Sequence, residues 1–363
     1  MMTTHKRNFA DELDAISARY ESQFAGMARS SRNLDEIDAI IADTKSVLSR
    51  IESIPEAVRP PDLAELATLA RQNVALYERE RTLIVEAKRV GPDFERFAQL
   101  ASSANFVFAR YRRHFAGQAR STRDLGLLDE LADDLESIEG GMAEVVSTTK
   151  SADFKKDLEL VRQSVKMYRA EREAILEARK EGTADERASL MAQLANSQFG
   201  VYQNHFAGKS RATRRPALLV RIIEQLEAIQ KGMRALEGKV TGDNNKKNID
   251  IVAKQLETYR AELDEVRNAR KTTSFADLMG MLGGAANEVF DAFRKEFAGQ
   301  DRKTRDAARL GALCDELGDI RKQMVDLGRA EQSATNDSNI DIVTGQLTSF
   351  EQEWEQLTLA QKQ

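Results

Sequence analysis

Four pairs of arginines carry the clearest chemistry in this sequence: Arg29 and Arg32, Arg120 and Arg123, Arg211 and Arg214, and Arg302 and Arg305. A guanidinium is a planar fork of donors, so two of them three residues apart suit a carboxylate or a phosphate. The second arginine of each pair falls at the predicted first position of a helix. A cation is disfavoured there, at the positive end of the helix dipole. Keeping it in four places implies an acidic counterpart. That counterpart is either a carboxylate on a neighbouring helix or repeat of the same chain, or an acidic group brought by a partner. The intramolecular salt bridge is the commoner use of such residues. The densest cluster, Lys209-Ser210-Arg211-Ala212-Thr213-Arg214-Arg215, raises binding of a polyanion, nucleic acid or phosphate, as an alternative. The net charge of −5 weighs against it, because phosphate binders normally present a net basic face.

Other reactive side chains are sparse. His114 and His205 are 91 residues apart, but Gln23 and Glu296 hold the matching places. With three histidines and no His-x-x-x-His or Glu-x-x-His, no metal site is expected, and both read as exposed helix-end residues. The single cysteine, Cys314, stands beside the apolar Leu313 and reads as a buried or half-buried thiol. Asp133-Asp134 reads as a solvated helix face rather than a catalytic dyad. Met279-Gly280-Met281-Leu282-Gly283-Gly284 matches no phosphate-binding loop, since no strand precedes it. Its glycines predict close approach of helices, with some irregularity in the helix that carries them. No catalytic residue, cofactor or small-molecule substrate is implied.

The elements that hold these residues repeat. Phe24-Ala25-Gly26 recurs as Phe115-Ala116-Gly117, Phe206-Ala207-Gly208 and Phe297-Ala298-Gly299, each step being 91 residues. Tyr20, Tyr111, Tyr202 and Phe293 keep the same period, as do Tyr77, Tyr168, Tyr259 and Phe350. These aromatic stripes read as core. Four periods account for the 363 residues, with divisions at 1–90, 91–181, 182–272 and 273–363. Within a period, apolar residues alternate at spacings of three and four, as in Leu128, Leu131, Leu135, Ile138 and Met142. That is a helical stripe, and strand patterns are absent. In the second period the helices are predicted over 92–115, 122–147 and 152–179. The glycine after each first helix suits a C-terminal stop at positive φ. Ser31, Thr122, Thr213 and Thr304 are predicted N-caps of the second helices.

The predicted fold is therefore all-α: four tandem 91-residue three-helix repeats with heptad-like packing, set out as an elongated array. The array is either an end-to-end rod, which resembles spectrin-type repeats in architecture only, or an α-solenoid. The chain is 31% charged, and no run of apolar residues is long enough to span a membrane. The polar start Met1–Ala10 has no secretory core, and one cysteine excludes an intramolecular disulfide framework. A cytoplasmic location is expected. So is a non-enzymatic structural or scaffolding role, with a protein partner or further copies of the chain as ligand. Charge is uneven: the third period has 16 basic and 11 acidic residues, the fourth 10 and 16. Head-to-tail docking between copies would use that contrast.

Overall fold

The computed structural model describes residues 2–55 and 59–361, with side chains from Phe9 onward. Among the described residues there are twelve α-helices and no strand. They are α1 (Met2–Phe24), α2 (Leu34–Glu52), α3 (Pro61–Val90), α4 (Pro92–Phe115), α5 (Leu125–Thr149) and α6 (Ala152–Ala178). The remainder are α7 (Ala184–Phe206), α8 (Pro216–Arg234), α9 (Asn244–Thr272), α10 (Phe275–Phe297), α11 (Ala307–Ala330) and α12 (Ala334–Ala360). A single 3-10 turn precedes α2, α5, α8 and α11, over Arg29–Ser31, Arg120–Thr122, Arg211–Thr213 and Arg302–Thr304. No helix among the described residues is long and apolar enough to cross a membrane.

The 3-10 turns shift the predicted starts of the second helices by a few residues. Ser31, Thr122, Thr213 and Thr304 close these turns rather than cap the helices. The threonine hydroxyls donate back to the carbonyls of Ala119, Ser210 and Asp301. Asn33 and Asp124 are the true caps of α2 and α5, accepting from the amides of Asp35 and Leu127. Arg32, Arg123, Arg214 and Arg305 are consequently extended and lie just outside the helix, where the dipole penalty is smaller. The glycine that ends each preceding helix has φ between +70° and +75° at Gly26, Gly117, Gly208 and Gly299, which lets the chain reverse into the turn.

The residues fall into two compact units, 1–99 with 325–342 and 100–324 with 343–363. These bounds cut across the 91-residue periods. In the first unit, Tyr20, Phe24, Ile37, Ile40, Tyr77 and Ile84 form one core cluster, which Ala334 joins. In the second, Leu219, Ile222, Leu226 and Met233 of α8 pack with Val252, Leu256, Tyr259 and Val266 of α9. The aromatic columns meet face to face. Tyr111 stacks on Tyr168 at 4.3 Å, Tyr202 on Tyr259 at 4.1 Å and Phe293 on Phe350 at 4.0 Å, while Tyr20 tilts against Tyr77 at 4.7 Å.

The glycine-rich run differs from its reading. Helix α10 passes through it unbroken, and a Cβ on Gly280, Gly283 or Gly284 would meet nothing within 4 Å. Close approach occurs instead at Gly126 of α5, where a Cβ would lie 2.8 Å from Arg221 Cγ and 2.9 Å from Gln225 Cγ of α8.

Candidate functional site

All eight predicted arginines point at a glutamate on the third helix of their own period. Arg29 Nε lies 2.8 Å from Glu80 Oε1, and Arg32 Nη1 lies 2.5 Å from the same oxygen. Arg120 and Arg123 reach Glu171 at 2.9 and 2.5 Å. Arg211 engages both oxygens of Glu262 at 3.1 and 3.0 Å, and Arg214 shares that carboxylate. Arg302 does the same to Glu353 at 2.9 and 2.8 Å, joined by Arg305. The second arginine also donates to the carbonyl five residues back: Met27, Gln118, Lys209 and Gln300. A further donor at the end of the third helix holds the turn from the other side. Lys88 reaches Ser30 O, Arg179 reaches Ser121 O, Arg270 reaches Arg214 O and Gln361 reaches Arg305 O. Each turn is thus fastened to the third helix by charge-assisted bonds. The glutamate column escaped the sequence reading, although Glu80, Glu171, Glu262 and Glu353 also keep the period of 91 and follow the aromatic column by three.

The four clamps differ in cover. In the first unit the start of α12 lies over the Arg29 clamp. Asp341 pairs with Arg29, and Asp337 Oδ2 lies 3.1 Å from Arg32 Nη2. Ser338 Oγ sits 3.2 Å from the Tyr20 hydroxyl. Glu21 accepts from the amides of Ala334 and Thr335 at 2.7 and 2.9 Å and so caps α12. The side chains of Arg29, Arg32 and Glu80 are left 11%, 1% and 1% exposed. In the second unit the first arginine of each clamp stands half in solvent: Arg120 is 54% exposed, Arg211 50% and Arg302 50%. Burial pushes the Asp337 and Asp341 carboxyls up against the pull of Arg32 and Arg29, as suits three carboxylates facing two guanidiniums.

The second unit also contains a buried ionic core. Arg113 Nη2 lies 2.8 Å from Asp315 Oδ1, and His114 Nε2 lies 2.8 Å from Asp315 Oδ2. Asp319 takes Arg215 at 3.0 Å and His205 Nδ1 at 3.0 Å. Glu130 binds Arg215 at 2.6 Å and also Arg221, with Arg110 at 3.4 Å. Burial acts to raise these carboxyls. Arg113, His114 and Arg110 outweigh it at Asp315, and Arg110, His205 and Arg215 outweigh it at Asp319, so both lie well below the usual range. At Glu130 the three arginines bring the carboxyl down to about 2 despite burial. Glu351 goes the other way. Burial dominates the attraction of Arg113, 3.7 Å away, Asp315 adds repulsion, and the carboxyl is pushed up to about 7.

His114 and His205 are therefore half-buried and paired rather than exposed. They line one cleft of about 110 Å³ with Arg110, Asp124, Arg221 and Asp315. Its carboxylate Asp315 is held in ion pairs. Among the described residues no three His, Cys, Asp or Glu side chains are disposed to hold a metal ion. Cys314 is buried and its thiol is pushed up to about 12 by burial, the wrong direction for a nucleophile. Asp133 is exposed against Arg169, whereas Asp134 is half-buried and pairs with Lys322. No protein family, no characterised protein and no solved structure matches this chain.

Proposed function

We propose that this chain is a non-enzymatic scaffold made of four tandem three-helix repeats, which presents protein-binding surfaces to a partner or to copies of itself. The observation that carries this reading is the fourfold recurrence of one clamp, with an Arg pair and a glutamate in the same places at every 91 residues. Here the recurring chemistry fastens a turn in all four periods and leaves a half-exposed arginine beside it in three of them. The ionic core, where residues from 91–181, 182–272 and 273–363 share carboxylates, favours stacking of neighbouring repeats over independent beads. A cytoplasmic setting fits one reduced, buried cysteine.

Light scattering over a wide concentration range tests self-assembly, and affinity capture with the intact chain tests a foreign partner. Fluorescent single-stranded DNA titrated at low and high salt tests the polyanion alternative. A monomer at every concentration that captures DNA in a steeply salt-dependent manner would replace the scaffold reading.

A further inference from the structure

We infer that the three half-exposed arginine clamps, Arg120/Arg123, Arg211/Arg214 and Arg302/Arg305, are docking sites for an acidic helix of a partner protein, one that carries two carboxylates four residues apart. The inference rests on the scaffold reading and specifies the partner's chemistry.

The first unit shows what such an occupant looks like. On the Arg29 clamp sits the beginning of α12, whose Asp337 and Asp341 are one helical turn apart and face Arg32 and Arg29 respectively. The other three clamps keep the receiving side. Each has two guanidiniums sharing one glutamate, and an aromatic ring stands at the place of Tyr20: Tyr111, Tyr202 or Phe293. Among the described residues no pair of carboxylates lies on them as Asp337 and Asp341 lie on the first. In the earlier periods the place of Asp337 holds Ala64, Lys155 and Lys246 and that of Asp341 holds Thr68, Glu159 and Asp250, so the pair of carboxylates belongs to α12 alone. Two arginines against one glutamate leave a positive charge at the Arg120 and Arg302 clamps. At the third clamp Glu265 stands 3.7 Å from Arg211 as a weaker, exposed second acid. Where Glu21 caps α12, these clamps have Arg112, Gln203 and Arg294. What they retain is the pull on carboxylates rather than the cap on a helix end. Three such sites on one chain would bind a multivalent acidic partner with avidity.

The probe is a lactam-stapled peptide copying Ser333–Gln346, titrated into the intact chain at low salt and followed by fluorescence anisotropy. Because the Arg29 clamp is already covered, binding reads the other three. Saturable binding is expected. Asp337→Asn with Asp341→Asn in the peptide should abolish it, and Arg120→Gln, Arg211→Gln and Arg302→Gln together in the protein should weaken it by about tenfold or more. These arginines are half exposed, so the fold should survive, and circular dichroism checks it. Should the triple variant melt early, each single variant gives the same reading separately. Failure of the acidic peptide to bind, equal binding of the Asn peptide, or indifference to the arginine substitutions would each overturn the inference. Any of those results would leave the scaffold reading to the light-scattering and capture experiments. Binding of inorganic polyphosphate at these arginines, with no binding of the acidic peptide, would overturn the inference and assign the clamps to polyanions.

Discussion

At Glu80 one carboxylate holds two guanidiniums that have almost no access to water. Removing its charge leaves Arg29 and Arg32 to Asp337 and Asp341 alone, so Glu80→Gln should cost about 3 kcal/mol in a denaturant melt. Glu262→Gln, whose arginines reach solvent, should cost clearly less. Equal losses at the two positions would show that cover by α12 has no energetic consequence. Glu351 makes a second residue-scale case, with the opposite sign from an ordinary ion pair. Its folded carboxyl is raised to about 7, so the neutral form is the one the fold prefers. Its contribution is complete below the unfolded value, about 4, and is lost as pH rises through 7. Glu351→Gln should therefore flatten the decline in melting temperature between pH 5 and 8, a range over which up to about 3 kcal/mol is at stake. A decline that persists unchanged in the variant would assign it to another group.

The elements divide into what periodicity reveals and what it hides. The helices of the second period are legible from 3-4 spacing: the predicted 92–115 and 152–179 match α4 and α6 closely. The start of α5 is misplaced because the serine or threonine of the turn has the same chemistry as a helix cap, and only backbone geometry separates the two uses. The clamp glutamates were within reach, because they obey the period. The ionic core was not. Only Asp315 keeps its charge, with Asp133 and Glu224 in its column; Asp319 is the one acid in its own, Arg110 and Arg113 share theirs with only Arg19 and Lys295, and Glu130 and Arg221 occupy the same column with opposite charge. Repetition does not mark a residue that stands alone in its column, as Asp319 does. At this scale Gly208→Ala should destabilise by about 1 kcal/mol or more, since φ is +74° there even though space around the missing Cβ is open. Gly280→Ala, inside α10 with equally open surroundings and no positive φ, should stabilise or be neutral. If both behave alike in thermal melts, the turn does not depend on its left-handed residue.

For the molecule as a whole, acid separates the two units. In the second unit Asp315, Asp319 and Glu130 all titrate below their ordinary range, drawn down by arginines and histidines that outweigh burial. Groups lowered by folding stabilise above the unfolded value, about 4, and that stabilisation fades as pH falls towards the folded one. Three such carboxyls act in one ionic core. As they protonate, the buried guanidiniums of Arg110, Arg113 and Arg215 lose their counter-charges together. In the first unit Asp337 and Asp341 are raised, so their protonation on acidification goes with folding rather than against it. The second unit should therefore open first as pH falls from about 4 to about 2. Pepsin is active in that range and reads the opening directly: early cuts are expected within α5, α8 and α11, while α2 and α3 stay protected. Asp319→Asn should move the onset of cutting to higher pH, because it removes in advance one of the charges that acid removes. Simultaneous cleavage of both units, or first cuts within α2 and α3, would mean that the ionic core does not set the acid limit of the fold.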